Sequence, residues 1–137
     1  LLVYFFSNAA LTSCSVCLTF SRRISSLSVA ATTDLDTLCK FSNYGVNSVD
    51  LGAPGIGIYS TSVKDKYSIR HGTSMAAPHV TGAIALIASE FPNDTVDARI
   101  KRILDNVDPI PSLSGKLVTG GRLNVYKAIT SDVTNYT

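Results

Sequence analysis

Ser74 lies in the run His71-Gly72-Thr73-Ser74-Met75-Ala76-Ala77-Pro78-His79-Val80, where a glycine-led turn passes at once into the apolar stretch Val80 to Ala88. A hydroxyl at the start of a helix faces unpaired backbone N–H groups and the positive end of the helix dipole, which favour developing negative charge. The small neighbours Gly72, Ala76 and Ala77 let an extended peptide approach the backbone closely. That is the setting of a serine nucleophile in acyl transfer. Such a serine further needs a general base within hydrogen-bond reach and donors aimed at the oxyanion.

The chain holds two histidines, His71 and His79, and both flank the serine. His71 belongs to the same turn and His79 to the helix itself, so neither spacing suits a base that must reach the Ser74 hydroxyl. They read as a turn residue and a packing residue. Asp34, Asp36, Asp50 and Asp65 read as turn caps and exposed carboxylates, not as partners that orient a histidine. Cys14, Cys17 and Cys39 make an odd number and give no closed disulfide framework. Cys14-Ser15-Val16-Cys17 is a single CxxC without a second pair, so zinc is not assigned. Asn93-Asp94-Thr95 and Asn135-Tyr136-Thr137 fit the N-glycosylation acceptor pattern.

The elements that must hold Ser74 follow from the flanking pattern. Leu1–Phe6 is an apolar run of strand length, suited to a parallel strand covered on both faces. Residues 7–27 show no clear period. A second strand is predicted over 28–33, and a third over 49–55 that ends in the turn Ala53-Pro54-Gly55, with 56–61 continuing as strand. The polar segment 63–70 reads as a hairpin or loop. The helix from Ser74 to about Glu90 is apolar nearly all round, which predicts burial on every side, with Pro78 in its first turn and Gly82 allowing close packing. Thr95 reads as the N-cap of a second helix. Its Val96, Ile100, Ile103, Leu104 and Val107 would face inward, and Asp97, Arg99, Lys101 and Arg102 largely outward. Pro109 and Pro111 close it, and 120–129 gives a turn, an extended piece and a short helix. Alternating strands and helices argue for an α/β domain or part of one.

Composition agrees with a packed domain. Of 137 residues, 45% are hydrophobic and 16% charged, and the formal charge of +2 comes from scattered Lys and Arg, so a nucleic-acid partner is not indicated. Residues 1–21 carry no charge and precede Arg22 and Arg23, the pattern of a signal anchor. Ser7, Asn8, Thr12, Ser13, Ser15 and Thr19 interrupt it, however. A buried strand is the better reading, and no stable membrane span is expected.

With these residues in view, the chain resembles the subtilases, the subtilisin-like serine peptidases. Gly72-Thr73-Ser74-Met75-Ala76-Ala77-Pro78-His79-Val80 reproduces that family's nucleophile signature. The segments Ser28–Ala31, Phe41–Gly45, Ala53-Pro54-Gly55 with Ile58 and Ser60-Thr61, and Gly121–Val125 with Ala128 follow in the family's order. The resemblance implies a subtilisin-like parallel sheet flanked by helices. It also implies hydrolysis of peptide or protein substrates through an acyl-enzyme by Ser, His and Asp. Ser74 would be the nucleophile, with its own backbone N–H as one oxyanion donor. Asn8, after the first strand, is the candidate for the second donor, although Tyr4, Phe5, Phe6 and Ser7 stand where the family has small residues.

The family's aspartate and histidine come from motifs that precede that asparagine. The resemblance therefore reads this chain as the C-terminal half of a catalytic domain: 1–27 a diverged or misread segment, 28–130 the subtilase part, 131–137 a tail. No cofactor or metal is assigned, since the family's calcium sites fall mainly in the preceding region. The isolated chain is expected to be inactive, the parent to be secreted or extracytoplasmic, with no signal peptide visible. A non-catalytic pseudo-peptidase or peptide-binding module is the competing reading. An α/β-hydrolase is set aside, because its Gly-x-Ser-x-Gly elbow would need glycine where Ala76 stands.

Overall fold

The computed structural model describes residues 2–4 and 26–131. Strand β1 (Leu2–Tyr4), β2 (Ser26–Thr32) and β3 (Leu51–Pro54) are followed by a hairpin of β4 (Ile58–Ser62) and β5 (Lys66–Arg70). Then come helix α1 (Thr73–Glu90), α2 (Val96–Asp105), β6 (Asp108–Pro109), a 3-10 turn at Pro111–Leu113, β7 (Gly121–Arg122) and α3 (Val125–Thr130). The main sheet runs β1-β2-β3-β7-β6, parallel from β1 to β7 and antiparallel between β7 and β6. The hairpin stands apart as a two-stranded antiparallel sheet. The first predicted strand thus survives as Leu2–Tyr4, while Leu1, Phe5, Phe6, Asn8, Cys14 and Cys17 lie outside the described residues.

β2 is buried on both faces from Leu27 to Thr32, as a strand with a parallel neighbour on each side must be. Leu27, Val29 and Ala31 join Leu51 and Ala53 of β3 in a core under α1, built on Ala76, Val80, Ala83, Ile84 and Ile87. Ala30 points to the other face and packs with Val49, Ile110, Leu113 and Leu117. The Ser28 N–H donates to Asp50 Oδ2 at 2.7 Å, so Asp50, at the entry to β3, ties that strand to the start of β2.

Four expectations are corrected. Helix α1 buries one face only: Ala76, Ala77, Val80, Ala83, Ile84 and Ile87 turn inward at i, i+3, i+4 and i+7 spacing, while Pro78, His79, Thr81, Gly82, Ala85 and Leu86 are exposed. An apolar composition all round had suggested cover on every side, but the described residues pack against one side alone. A Cβ on Gly82 would meet nothing within 4 Å, so this glycine does not serve close packing among them. Pro78 falls in the second turn because the helix begins at Thr73. Its missing N–H leaves the Ser74 carbonyl without a helical donor.

Arg102 is the fourth correction. It is fully buried, its Nε donates to Asp94 Oδ2 at 2.6 Å, and its guanidinium lies over the Phe91 ring at 3.8 Å. A charged residue between Ile100 and Leu104 reads as outward by polarity. Here a carboxylate and an aromatic face supplied by the turn before α2 receive it inward. Thr95 caps α2 as predicted, accepting from the Ala98 N–H at 3.2 Å.

Candidate active site

The serine turn is tied to the ends of two core strands by backbone alone. The Gly55 N–H donates to the Thr32 carbonyl at 3.0 Å, and the Gly72 N–H donates to the Gly55 carbonyl at 2.7 Å. This ladder runs from the end of β2, past the end of β3, to the residue that starts α1. Gly72 holds φ 151°, ψ 161°, a conformation L side chains rarely adopt, and so turns the chain sharply out of β5 into the helix. Gly55 is required for a different reason. A Cβ there would lie 2.5 Å from the Ala31 Cβ and 2.9 Å from the Gly72 carbonyl oxygen. Sequence reading saw Pro54-Gly55 only as a turn; its part in seating Gly72 depends on a contact between segments far apart in the chain.

Ser74 is the second residue of α1 and is exposed. The Gly72 carbonyl accepts from the Met75 N–H at 3.0 Å and the Ala76 N–H at 3.3 Å. Of the four orphan donors at this helix start, the N–H groups of Thr73 and Ser74 therefore have no acceptor among the described residues and can face an incoming group. No acidic side chain occupies the first turn, so the dipole there is not neutralised from within the helix. The arrangement offers a hydroxyl and backbone donors to a carbonyl that becomes an oxyanion.

Neither histidine is joined to the Ser74 hydroxyl. His71 Nδ1 accepts from the Gly57 N–H at 2.9 Å, binding the ring back to the turn before β4. His79 Nδ1 is 2.8 Å from the Met75 carbonyl oxygen; a carbonyl only accepts, so this nitrogen carries the proton. Each Nδ1 is thus held by backbone, accepting in His71 and donating in His79. The carboxylates are engaged or placed elsewhere. Asp36 pairs with Arg122, Asp50 takes the Ser28 N–H, Asp65 sits at φ 53° in the β4–β5 turn, and Asp34 is exposed at the turn after β2. Among the described residues, then, the structure brings the serine together with helix N–H donors and not with a histidine–aspartate pair. Asn8 lies outside the described residues. Cys39 is buried, and burial pushes its thiol up, which keeps it protonated and unreactive.

Residues 8–118 match the model of the subtilase family. The chain belongs to the subtilase family. It is 39% identical over 104 residues to the thermophilic serine proteinase of Bacillus sp. (strain AK1), covering 76% of this chain and 25% of that protein. It is likewise 39% identical over 103 residues to thermitase of Thermoactinomyces vulgaris, covering 75% of this chain and 36% of the other. A relative from Xanthomonas campestris pv. campestris, 32% identical over 115 residues (78% of this chain, 20% of the relative), bears the name extracellular protease. Among solved structures, the A subunit of the AB5 toxin from E. coli superposes with a TM-score of 0.68 at 32% identity, over 76% of this chain and 37% of that one. The fold is therefore the α/β subtilase sheet with flanking helices, and the chain spans about a quarter to a third of the length of the first two relatives. At family level these are serine-type peptidases.

Proposed function

We propose that this chain carries the nucleophile of a subtilase catalytic centre, and that the general base and its aspartate are contributed by residues outside these 137. The observation that carries this reading is Ser74 itself: exposed, second in a helix whose Thr73 and Ser74 N–H groups have no acceptor among the described residues, and seated on the strand ends through Gly55 and Gly72. In the complete centre Ser74 Oγ attacks the scissile carbonyl of a peptide or protein substrate as an imidazole takes its proton. The Ser74 N–H and the Asn8 side chain then hold the oxyanion, and the proton returns to the leaving amine. His71 and His79 take no part, since neither ring is hydrogen-bonded to the Ser74 hydroxyl and each is held instead on a backbone group.

On this reading residues 28–130 form the C-terminal half of a catalytic domain, no metal or cofactor enters the reaction of these residues, and the working place is extracytoplasmic. Without its base the hydroxyl is an ordinary alcohol, and oxyanion donors alone support only residual rates. The test is a fluorophosphonate probe, which reports activated serines. The chain alone is expected to label no faster than its Ser74→Ala variant. Strong labelling that disappears in Ser74→Ala would overturn the proposed dependence on an outside base. Reading the coding sequence upstream supplies the second check, with an Asp-Ser/Thr-Gly and a His-Gly-Thr-His motif expected there.

A further inference from the structure

The turn between α1 and α2 holds a feature that peptide hydrolysis does not use. Phe91–Asp94 is a reverse turn, closed by the Asp94 N–H donating to the Phe91 carbonyl at 3.2 Å. Pro92 stands at its second position, where the fixed φ suits it, and Asn93 at its third. Arg99 Nη2 donates to the Pro92 carbonyl at 3.0 Å and braces the turn from α2. The Asp94 carboxylate is turned inward to Arg102, and Phe91 packs against the core. Every neighbour of Asn93 is thereby anchored, while Asn93 itself is exposed and its amide makes no hydrogen bond among the described residues.

Two residues on, Thr95 accepts from the Ala98 N–H through Oγ1, a bond that leaves the hydroxyl's own proton unused. Asn93-Asp94-Thr95 thus presents both functional groups of an N-glycosylation acceptor at the surface, with Asp94, not proline, between them. The turn also lies at the opposite end of α1 from Ser74, about 27 Å away along 18 helical residues. A bulky, hydrophilic glycan there would not screen the serine.

We propose that Asn93 is an N-glycosylation site. The donor is an oligosaccharide linked to a polyprenol through pyrophosphate. The Asn93 Nδ2 forms a bond to the anomeric carbon as the bond from that carbon to the pyrophosphate oxygen breaks. The pyrophosphate departs with the electron pair, and the amide loses one proton. No oxidant or reductant is needed. The site rests on the extracytoplasmic reading above.

The experiment supplies that compartment directly, so that failure of the site and failure of the reading are told apart. The full chain is expressed in a eukaryotic host behind a cleavable secretion signal. The total chain, retained and secreted, is then analysed by mass before and after peptide N-glycosidase. The expected result is one glycan on Asn93, seen as a mass increase reversed by the enzyme and as Asn93 converted to Asp. Asn93→Gln and Thr95→Val abolish glycosylation at this position, whereas Thr95→Ser and Asn135→Gln keep it. Asn93→Gln replaces an exposed turn residue, so its loss of modification cannot be laid to misfolding. A translocated chain unmodified at Asn93, or modified at Asn135 alone, overturns the proposal.

Discussion

At the scale of single residues, Ser74 is placed by atoms that carry no chemistry. Gly55 and Gly72 meet so closely that only hydrogen fits at the Gly55 α-carbon, and this contact seats the start of α1 on β2 and β3. Gly55→Ala would drive a methyl into Ala31 and the Gly72 carbonyl. It is expected to cost about 1–3 kcal/mol, read as a lower denaturation midpoint with an unchanged slope. Arg102 poses the opposite case, a strong charge hidden in the core. Asp94→Ala removes the carboxylate that Arg102 Nε donates to at 2.6 Å while the charge stays buried, with an expected loss of about 3 kcal/mol or more, whereas Arg102→Met removes the charge itself and should cost less. Thermal melts of the two variants check the order; a milder Asp94→Ala than Arg102→Met would refute it. The serine was legible in the sequence because its motif is contiguous. The burial of Arg102 was not, because its partners Asp94 and Phe91 reach it from a turn that polarity alone treats as solvent-facing.

Secondary-structure elements show the same division. Thr95 was legible as a cap since capping is a property of adjacent residues, and the structure has its side chain on the Ala98 N–H. Thr95→Ala is expected to destabilise the chain by about 1 kcal/mol, with Thr95→Ser recovering most of it, as a shift in melting temperature would report. The one-sided burial of α1 is not legible in its sequence, because composition records how apolar a helix is and not how many neighbours it has. Ala85 and Leu86 are apolar yet exposed among the described residues, on the side away from β2 and β3. The segment 63–70, in which Val63, Tyr67 and Ile69 are exposed beside its polar residues, does fold as the second half of a hairpin. Its turn accepts positive φ at Lys64 and Asp65, and Tyr59 stacks on Tyr67 with centroids 5.3 Å apart across the strands. Cross-strand stacking of that kind depends on register, which a hydrophobicity pattern does not carry when both faces are exposed.

For the molecule as a whole, the far end of the sheet is closed by charge where the strands are too short to close it by pairing. β6 and β7 have two residues each, and Arg122 of β7 pairs with Asp36 after β2 and, at 3.3 Å, with Asp108 of β6. Asp108 also receives Lys127 of α3 at 2.7 Å and Asn124, the cap of α3, at 2.9 Å. Lys127 above all holds the Asp108 carboxyl below its usual range; burial opposes the shift, and Asn124 and Arg122 add to it. With the folded-state pKa below the unfolded one, the folded chain binds fewer protons at intermediate pH. The contribution is therefore full above the unfolded value of about 4, and is lost as pH falls through the lowered folded value. The melting-temperature gap between the native chain and Asp108→Asn should be constant near neutrality, narrow below about pH 4 and close in stronger acid. Lys127→Met should raise the Asp108 pKa, seen by NMR titration of its carboxyl carbon, and move the acid-side loss to higher pH. A gap that persists undiminished once every carboxylate is protonated would mean that Asp108 acts here through its shape and hydrogen bonds, and not through its charge.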